Sequence, residues 1–549
     1  MFKTQKMLLN LYSSRVLPKF RVQFRLSLLW LICIAILLVI CLPVMYLLLR
    51  GTENGIAGLE YLFKPRTLMI FLNSALLTAL VVTASGIIGV SFAWLTTRVM
   101  LPFRRLILIL GLLPMVIPSY IGALTLVAVF GPVGHLQQLL QPLGVQRLPD
   151  IYGVFGAVFA LTLFTYPYFA LPVRAALLNM DSSLEEAAQS MGCSRWEIFR
   201  RVTFPVLRPA ILAGATLTAL YTLSDFGAVM VMRYNAFSRA IYVAYNSSFD
   251  RSRAALLALV LVCCTLLLTW LERRITQSMH TYRIGKGSPR ALTRTSLGRW
   301  RYPAVLFVGL LITIGVVLPV VILLGWAANP RAVSPIDMQL HESSGNALTA
   351  SGITALVVAL AALPLAMLAK RTTSGFKRTF IAFSYSGNAL PGIVIGLALV
   401  FFSANALPVL YQTLPLLVLG YTIRFLPYGI ASTQNAMNAI SPGMDEAAQS
   451  LGLNPLQSLL RVTLPLVWSG IVAGMGLTFL NSMKELPTTL MLAPIGFNTP
   501  ATRIWMASES GQLSLIGLPG LVLIALSCLG LAILLWRESR LTDRSSRRT

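Results

Sequence analysis

The chain has 549 residues, of which 56% are hydrophobic and only 11% charged, whereas a soluble protein carries about a quarter charged residues. Its net charge of +26 invites a nucleic-acid reading, but no aromatic-studded basic domain is present, and bilayer proteins gather Lys and Arg in loops on one side. The six cysteines form no CxxC pair, which argues against a disulfide framework or a metal cluster.

Apolar runs of roughly 20 residues recur from end to end, the length that crosses a bilayer as helix. Twelve spans are expected, at about 28–49, 70–95, 106–130, 151–173, 205–231, 254–272, 302–326, 346–369, 379–402, 407–429, 464–482 and 514–536. The runs are continuously apolar rather than alternating, so they read as helices and not barrel strands. The first follows a basic stretch (Lys3, Lys6, Arg15, Lys19, Arg21, Arg25) and is too long for a signal-peptide core, so it reads as an uncleaved span. With the N-terminus inside, 32 of the 44 Lys and Arg fall in inward segments. That excess places both termini in the cytoplasm.

The chain repeats itself. Asn73 to Arg98 corresponds to Asn346 to Arg371, and Pro118 to Pro391, at an offset of 273. From Pro167 and Pro427 onward the offset is 260, and the difference falls in the loop near 131–150, where insertion costs little. Each half holds six spans, so the halves are parallel repeats about an axis normal to the membrane. The expected division is 1–285 and 286–549, with the basic stretch from Arg273 to Arg301 as the fusion linker. Paired prolines at 118 and 391 are expected to break or kink spans 3 and 9.

The sharpest repeat lies between spans 4 and 5 and between spans 10 and 11. Glu186, Ala187, Ala188 and Gly192 return as Glu446, Ala447, Ala448 and Gly452, in loops spanning 181–205 and 441–465. Each loop ends at a matching proline, Pro205 or Pro465. Asp181 and Ser441 are placed as N-caps, the alanines leave a flat surface for close approach, and the glycines suit a left-handed stop. Ser194 and Asn454 then cap a second short helix. The predicted product is a helix–turn–helix joined rigidly to the next span.

These loops resemble the EAA signature of ABC importer permeases, with Phe204 standing where that family usually has Leu. The resemblance implies a type I permease fold: an all-α polytopic protein of twelve helices in a bacterial inner membrane. It also implies two copies of a cytoplasmic ATPase, one gripping each loop through Glu186 and Glu446, and a periplasmic solute-binding protein that delivers cargo. The sequence carries no phosphate loop of its own; Gly285-Lys286-Gly287-Ser288 lacks the glycine spacing and the preceding strand. ATP and Mg are therefore expected in a partner, no cofactor in this chain, and no nucleic acid among the partners. A catalytic set is not evident, with histidines only at 135, 280 and 341.

Two further segments, Leu223 to Val229 and Lys484 to Leu490, resemble the two halves of fused ferric-iron permeases, a group close to thiamine and polyamine permeases. Asp225 and Glu485 are mates at the offset of 260, each 20 residues past its closing proline. Together with Pro118 and Pro391 they are candidates for the substrate pathway, and a metal site is not assigned. Two carboxylates suit a hard trivalent cation, and equally an organic cation such as thiamine. Each also has a structural alternative, as a helix cap or as partner to a nearby base such as Lys484. A gradient-driven secondary transporter is the rival class. It has no use for a duplicated docking loop.

Overall fold

A computed structural model of the chain describes residues 29–53, 55–246, 251–277, 295–328, 336–370, 390–441 and 443–528, together with Ser384 and Gly387. Among these residues the protein is helical, with one isolated bridge between Val99 and Thr295. The basic stretch before the first span, most of the linker and the start of span 9 lie outside the described residues.

In chain order, α1 (Leu29–Thr52) is followed by α2 (Gly55–Leu62), α3 (Pro65–Arg98), α4 (Arg104–Leu112), α5 (Ser119–Phe130) and α6 (His135–Leu140). Then come α7 (Val154–Thr165), α8 (Pro167–Leu178), α9 (Ser182–Ser190), α10 (Arg195–Ile198), α11 (Phe204–Ser224), α12 (Gly227–Val231), α13 (Phe237–Asn246) and α14 (Arg251–Gln277). The remainder comprises α15 (Arg301–Ile312), α16 (Leu318–Ala327), α17 (Ile336–Lys370), α18 (Gly392–Ala406), α19 (Leu414–Asn438), α20 (Gly443–Ser450), α21 (Pro455–Ser458), α22 (Leu464–Met483), α23 (Pro487–Leu492), α24 (Pro500–Glu509) and α25 (Ser514–Cys528). Among the described residues ten helical stretches are long and apolar enough to cross a membrane, and α18 and α25 are shorter apolar helices. Together they overlap the twelve expected spans, the third and ninth displaced toward the C-terminus.

The breaks fall where backbone chemistry requires them. Pro118 is extended (ψ 138°) and starts α5, and Pro391 is extended (ψ 144°) and starts α18. Pro118 lacks the N–H that would continue the helical stretch ending at Met115. Span 5 is shorter than the hydropathy suggests. Its helix α11 stops at Ser224 because Asp225 is extended (ψ 125°), and α12 begins afresh two residues later.

The packing divides into two compact units that interleave along the chain. One takes residues 46–349, 389–417 and 483–549; the other takes 1–45, 350–388 and 418–482. The core of the larger unit includes Phe92, Phe164, Tyr166, Phe226 and Leu323, all at most 1% exposed. That of the smaller gathers Cys33, Val358, Leu365 and Ile430 in one cluster and Val467 and Ile471 in another. Each unit contains the same tight crossing. A Cβ on Gly214 of α11 would lie 2.9 Å from Phe169 Cα of α8, and one on Gly474 of α22 would lie 3.0 Å from Gly429 Cα of α19. Small residues let helix backbones approach where lipid supplies no hydrophobic drive between helices.

Candidate functional site: twin helix–turn–helix loops and the broken helices

The first loop is α9, a glycine stop and α10. Asp181 caps α9 by accepting from Ser183 N (3.0 Å). Gly192 has φ +82°, the left-handed stop. Ser194 and Glu197 form a reciprocal capping box on α10. The second loop repeats this in α20 and α21. Gly452 has φ +89°, and Asn454 and Gln457 exchange side-chain to backbone bonds of 2.9 and 3.0 Å. Glu186 and Ala187 are exposed, as is Ala447, while Ala188 and Ala448 are each 5% exposed and pack inward. The side chain of Glu446 lies outside the described residues.

Two features were not anticipated from the sequence. Each loop joins its span through one π turn, Phe199–Thr203 and Leu459–Thr463. Such turns inside α-helices are uncommon and gather at functional places. The second feature is Glu185, the neighbour of Glu186. Its carboxylate accepts from Arg98 Nη1 at 2.7 Å and Nη2 at 3.2 Å, and from Thr203 Oγ1 at 2.7 Å. Arg98 ends α3 and its side chain is 8% exposed; that of Glu185 is 20% exposed. One carboxylate thus ties the loop helix α9 to the end of α3 and to the π turn that opens α11. The clue in the sequence is an acidic doublet present in both copies, Glu185-Glu186 and Asp445-Glu446.

The outward-turned side of each loop is apolar at matching positions. Leu184, Met191 and Trp196 are 39%, 76% and 68% exposed, and their mates Met444, Leu451 and Leu456 are 40%, 85% and 57% exposed. Periodicity along one span does not reveal this surface, but comparison of the two copies does.

At the far end of α11, Asp225 is 7% exposed. Its carboxylate caps α12, accepting from Ala228 N (2.9 Å) and Val229 N (3.4 Å), and also accepts from Ser119 Oγ at the start of α5. Glu485 is 6% exposed and caps α23, accepting from Thr488 N (3.3 Å) and Thr488 Oγ1 (2.7 Å). That hydroxyl also lies 3.3 Å from Gly392 O, the first residue of α18. The structure therefore brings Asp225 to the break at Pro118, and Glu485 to the break at Pro391. Lys484 reaches Met115 O at 3.3 Å, just before the first break. Asn73 Nδ2 donates to Asn235 O (3.2 Å) and its mate Asn346 Nδ2 to Asn498 O (3.1 Å), holding the loops that follow α12 and α23. Among the described residues no three His, Cys, Asp or Glu side chains gather as a metal site.

A helical membrane protein with a duplicated helix–turn–helix loop and helices followed by short capped segments fits a permease built of two halves. The chain matches the family described as binding-protein-dependent transport system inner membrane component twice, over residues 85–281 and 359–542, and belongs to it. It is 32% identical over 491 residues to the Fe(3+)-transport system permease protein FbpB 2 of Haemophilus influenzae, covering 88% of this chain and 93% of that one. It is 23% identical to the ferric transport system permease protein FbpB of Actinobacillus pleuropneumoniae, over 82% of this chain and 68% of that one. The sulfate transport system permease protein CysT of Salmonella typhimurium is 29% identical over 48% of this chain and 94% of its own. The chain is thus a multi-pass membrane permease subunit of a system that works with a binding protein and an ATPase. The gradient-driven alternative falls with that membership.

Proposed function

We propose that the chain is the fused permease of an importer that moves ferric iron into the cytoplasm, driven by ATP bound with Mg in two copies of a separate ATPase. The observation that carries the docking is the twice-built apolar surface, Leu184, Met191 and Trp196 with Met444, Leu451 and Leu456. Large exposed apolar side chains repeated at matching positions on otherwise polar loops suit a partner's footprint. Glu186, exposed beside it, and its sequence mate Glu446 are assigned to the same contact, with Gly192 and Gly452 shaping the turn. The charge asymmetry supports an orientation with both loops and both termini in the cytoplasm. The delivery protein then docks on the opposite, outer face.

ATP-driven closure of the two ATPase subunits draws the loops together. Because Glu185 ties α9 to both α3 and the start of α11, the push turns two membrane helices rather than one. At the other end of α11, Asp225 couples that helix to the break at Pro118, and Glu485, through Thr488, joins the start of α23 to the start of α18 after Pro391. The four residues lie along the proposed pathway. Asp225 and Glu485 hold its broken helices in place, since buried carboxylates already accepting backbone hydrogen bonds have less capacity for cargo.

Iron as cargo is supported by relatives named for it that span both halves, whereas the sulfate permease matches about half of the chain. Thiamine is the runner-up by the likeness of the segments at 223–229 and 484–490. The test is uptake of radioactive ferric iron, thiamine and sulfate in a strain deleted for this chain and complemented with it. Iron uptake should fall on deletion and return on complementation; iron uptake unaffected by deletion, beside lost thiamine or sulfate uptake, would overturn the cargo.

A further inference from the structure

Away from the loops and the broken helices, a cavity of about 300 Å³ opens where α3, α13 and α14 begin. Its polar lining is Arg66, Arg239, Arg253 and Asn235, over a floor that includes Ile70 and Leu257. Each arginine sits in the first turn of its own helix: Arg66 in α3, Arg239 in α13 and Arg253 in α14. A helix N-terminus carries partial positive charge and unpaired N–H groups, so it favours anions and disfavours a cation placed there. The sequence places a cation at that unfavourable position three times around one space. The side-chain ion pairs Arg50–Glu53 and Arg98–Glu185 lie elsewhere, and the lining of the cavity holds no carboxylate. Arg253 is held in position by Tyr61, whose ring lies 4.5 Å below its guanidinium and whose hydroxyl accepts from its Nε.

We propose that this cavity is an anion site that takes a phosphate group. Three guanidinium forks from three elements match the oxygens of a phosphate as no single lysine does. The space is roughly tenfold that of one water, so it admits the phosphate with a substituent. Two sources share this chemistry: free phosphate, and the headgroup of an anionic phospholipid in the outer leaflet, whose phosphate presents the same oxygens to a guanidinium fork. Occupancy has a mechanical consequence. Asn235 lines the cavity and its carbonyl accepts from Asn73, so a bound anion braces the loop between α12 and α13, and through α12 the capped end at Asp225.

The experiment uses the purified full chain. In lipid-stripped detergent, radioactive inorganic phosphate is titrated by equilibrium dialysis. In parallel, phospholipid co-purifying from phosphatidylglycerol or phosphatidylcholine nanodiscs is quantified by native mass spectrometry. Arg66→Gln alone and Arg66→Gln with Arg239→Gln are compared with the parent, each checked by circular dichroism; Arg147→Gln, which does not line the cavity, is the control. Saturable phosphate binding weakened at least tenfold by the double substitution supports the site with free phosphate as its source. Retained phosphatidylglycerol lost in the same variant supports it with a headgroup as source. Phosphate and phosphatidylglycerol binding equal in the parent, the single and the double variant, all folded, overturns it. The single variant, altering an exposed side chain, keeps the test decisive if the double variant does not fold.

Discussion

Replacing Glu185 by Gln strikes the point where the loop, α3 and α11 meet. The carboxylate receives two hydrogen bonds from Arg98 and one from Thr203; the amide offers one oxygen and turns N–H groups toward the guanidinium. Removing one partner of a fully buried pair costs about 3–5 kcal/mol. Glu185 is 20% exposed on its side chain, and water then offsets part of that, leaving about 2–3 kcal/mol. The loss falls on local docking of α9, because the spans keep their own cores. A change of that size raises the undocked population by about 30- to 150-fold. Hydrogen exchange of backbone amides in 182–203, in nanodiscs, should accelerate by that factor while amides within α3 and α7 stay unchanged. Arg98→Gln should behave alike, and the double variant should cost little more than either single one. Unchanged exchange in Glu185→Gln, or strictly additive single variants, would refute the link.

Further outcomes follow from the same geometry. Gly192→Ala and Gly452→Ala meet open space but keep a left-handed φ, so each should cost about 1–2 kcal/mol, read as faster local exchange at the loop, with uptake reduced. Trp196→Ala with Leu456→Ala removes exposed side chains and should shift stability by no more than about 0.5 kcal/mol while cutting ATP-dependent uptake; a thermal melt and an uptake assay on one preparation read both. Asp225→Asn should keep most uptake, because Asn caps a helix about as well as Asp, whereas Asp225→Ala should lose it; equal loss in both would assign the carboxylate to cargo instead.

What was legible in the sequence is what the chain states twice. The loop helices, their glycine stops and the breaks at Pro118 and Pro391 all rest on local rules of capping and backbone geometry, and repetition marks them as designed. Contacts between distant positions were not legible. Arg98 counts among the inward charges, and its pairing with Glu185, 87 positions away, has no local signature. The π turns at 199–203 and 459–463 lie just ahead of the expected spans at 205–231 and 464–482, and hydropathy does not register a change of helix period. The expectation that span 5 runs to residue 231 failed for the same reason: Phe226 to Val231 is apolar, yet Asp225 has already turned the backbone. The alternation of the two compact units along the chain depends on packing that no window of sequence contains.

Reconstitution in sealed liposomes measures the core mechanism directly. The purified chain is inserted with its loops facing the lumen, with or without the ATPase and ATP inside, and iron-loaded binding protein is added outside. Iron should accumulate only when chain, ATPase and ATP are all present, and Trp196→Ala with Leu456→Ala should abolish the gain. Accumulation by the chain alone, at the rate seen with ATPase and ATP, would contradict a permease worked through its two loops.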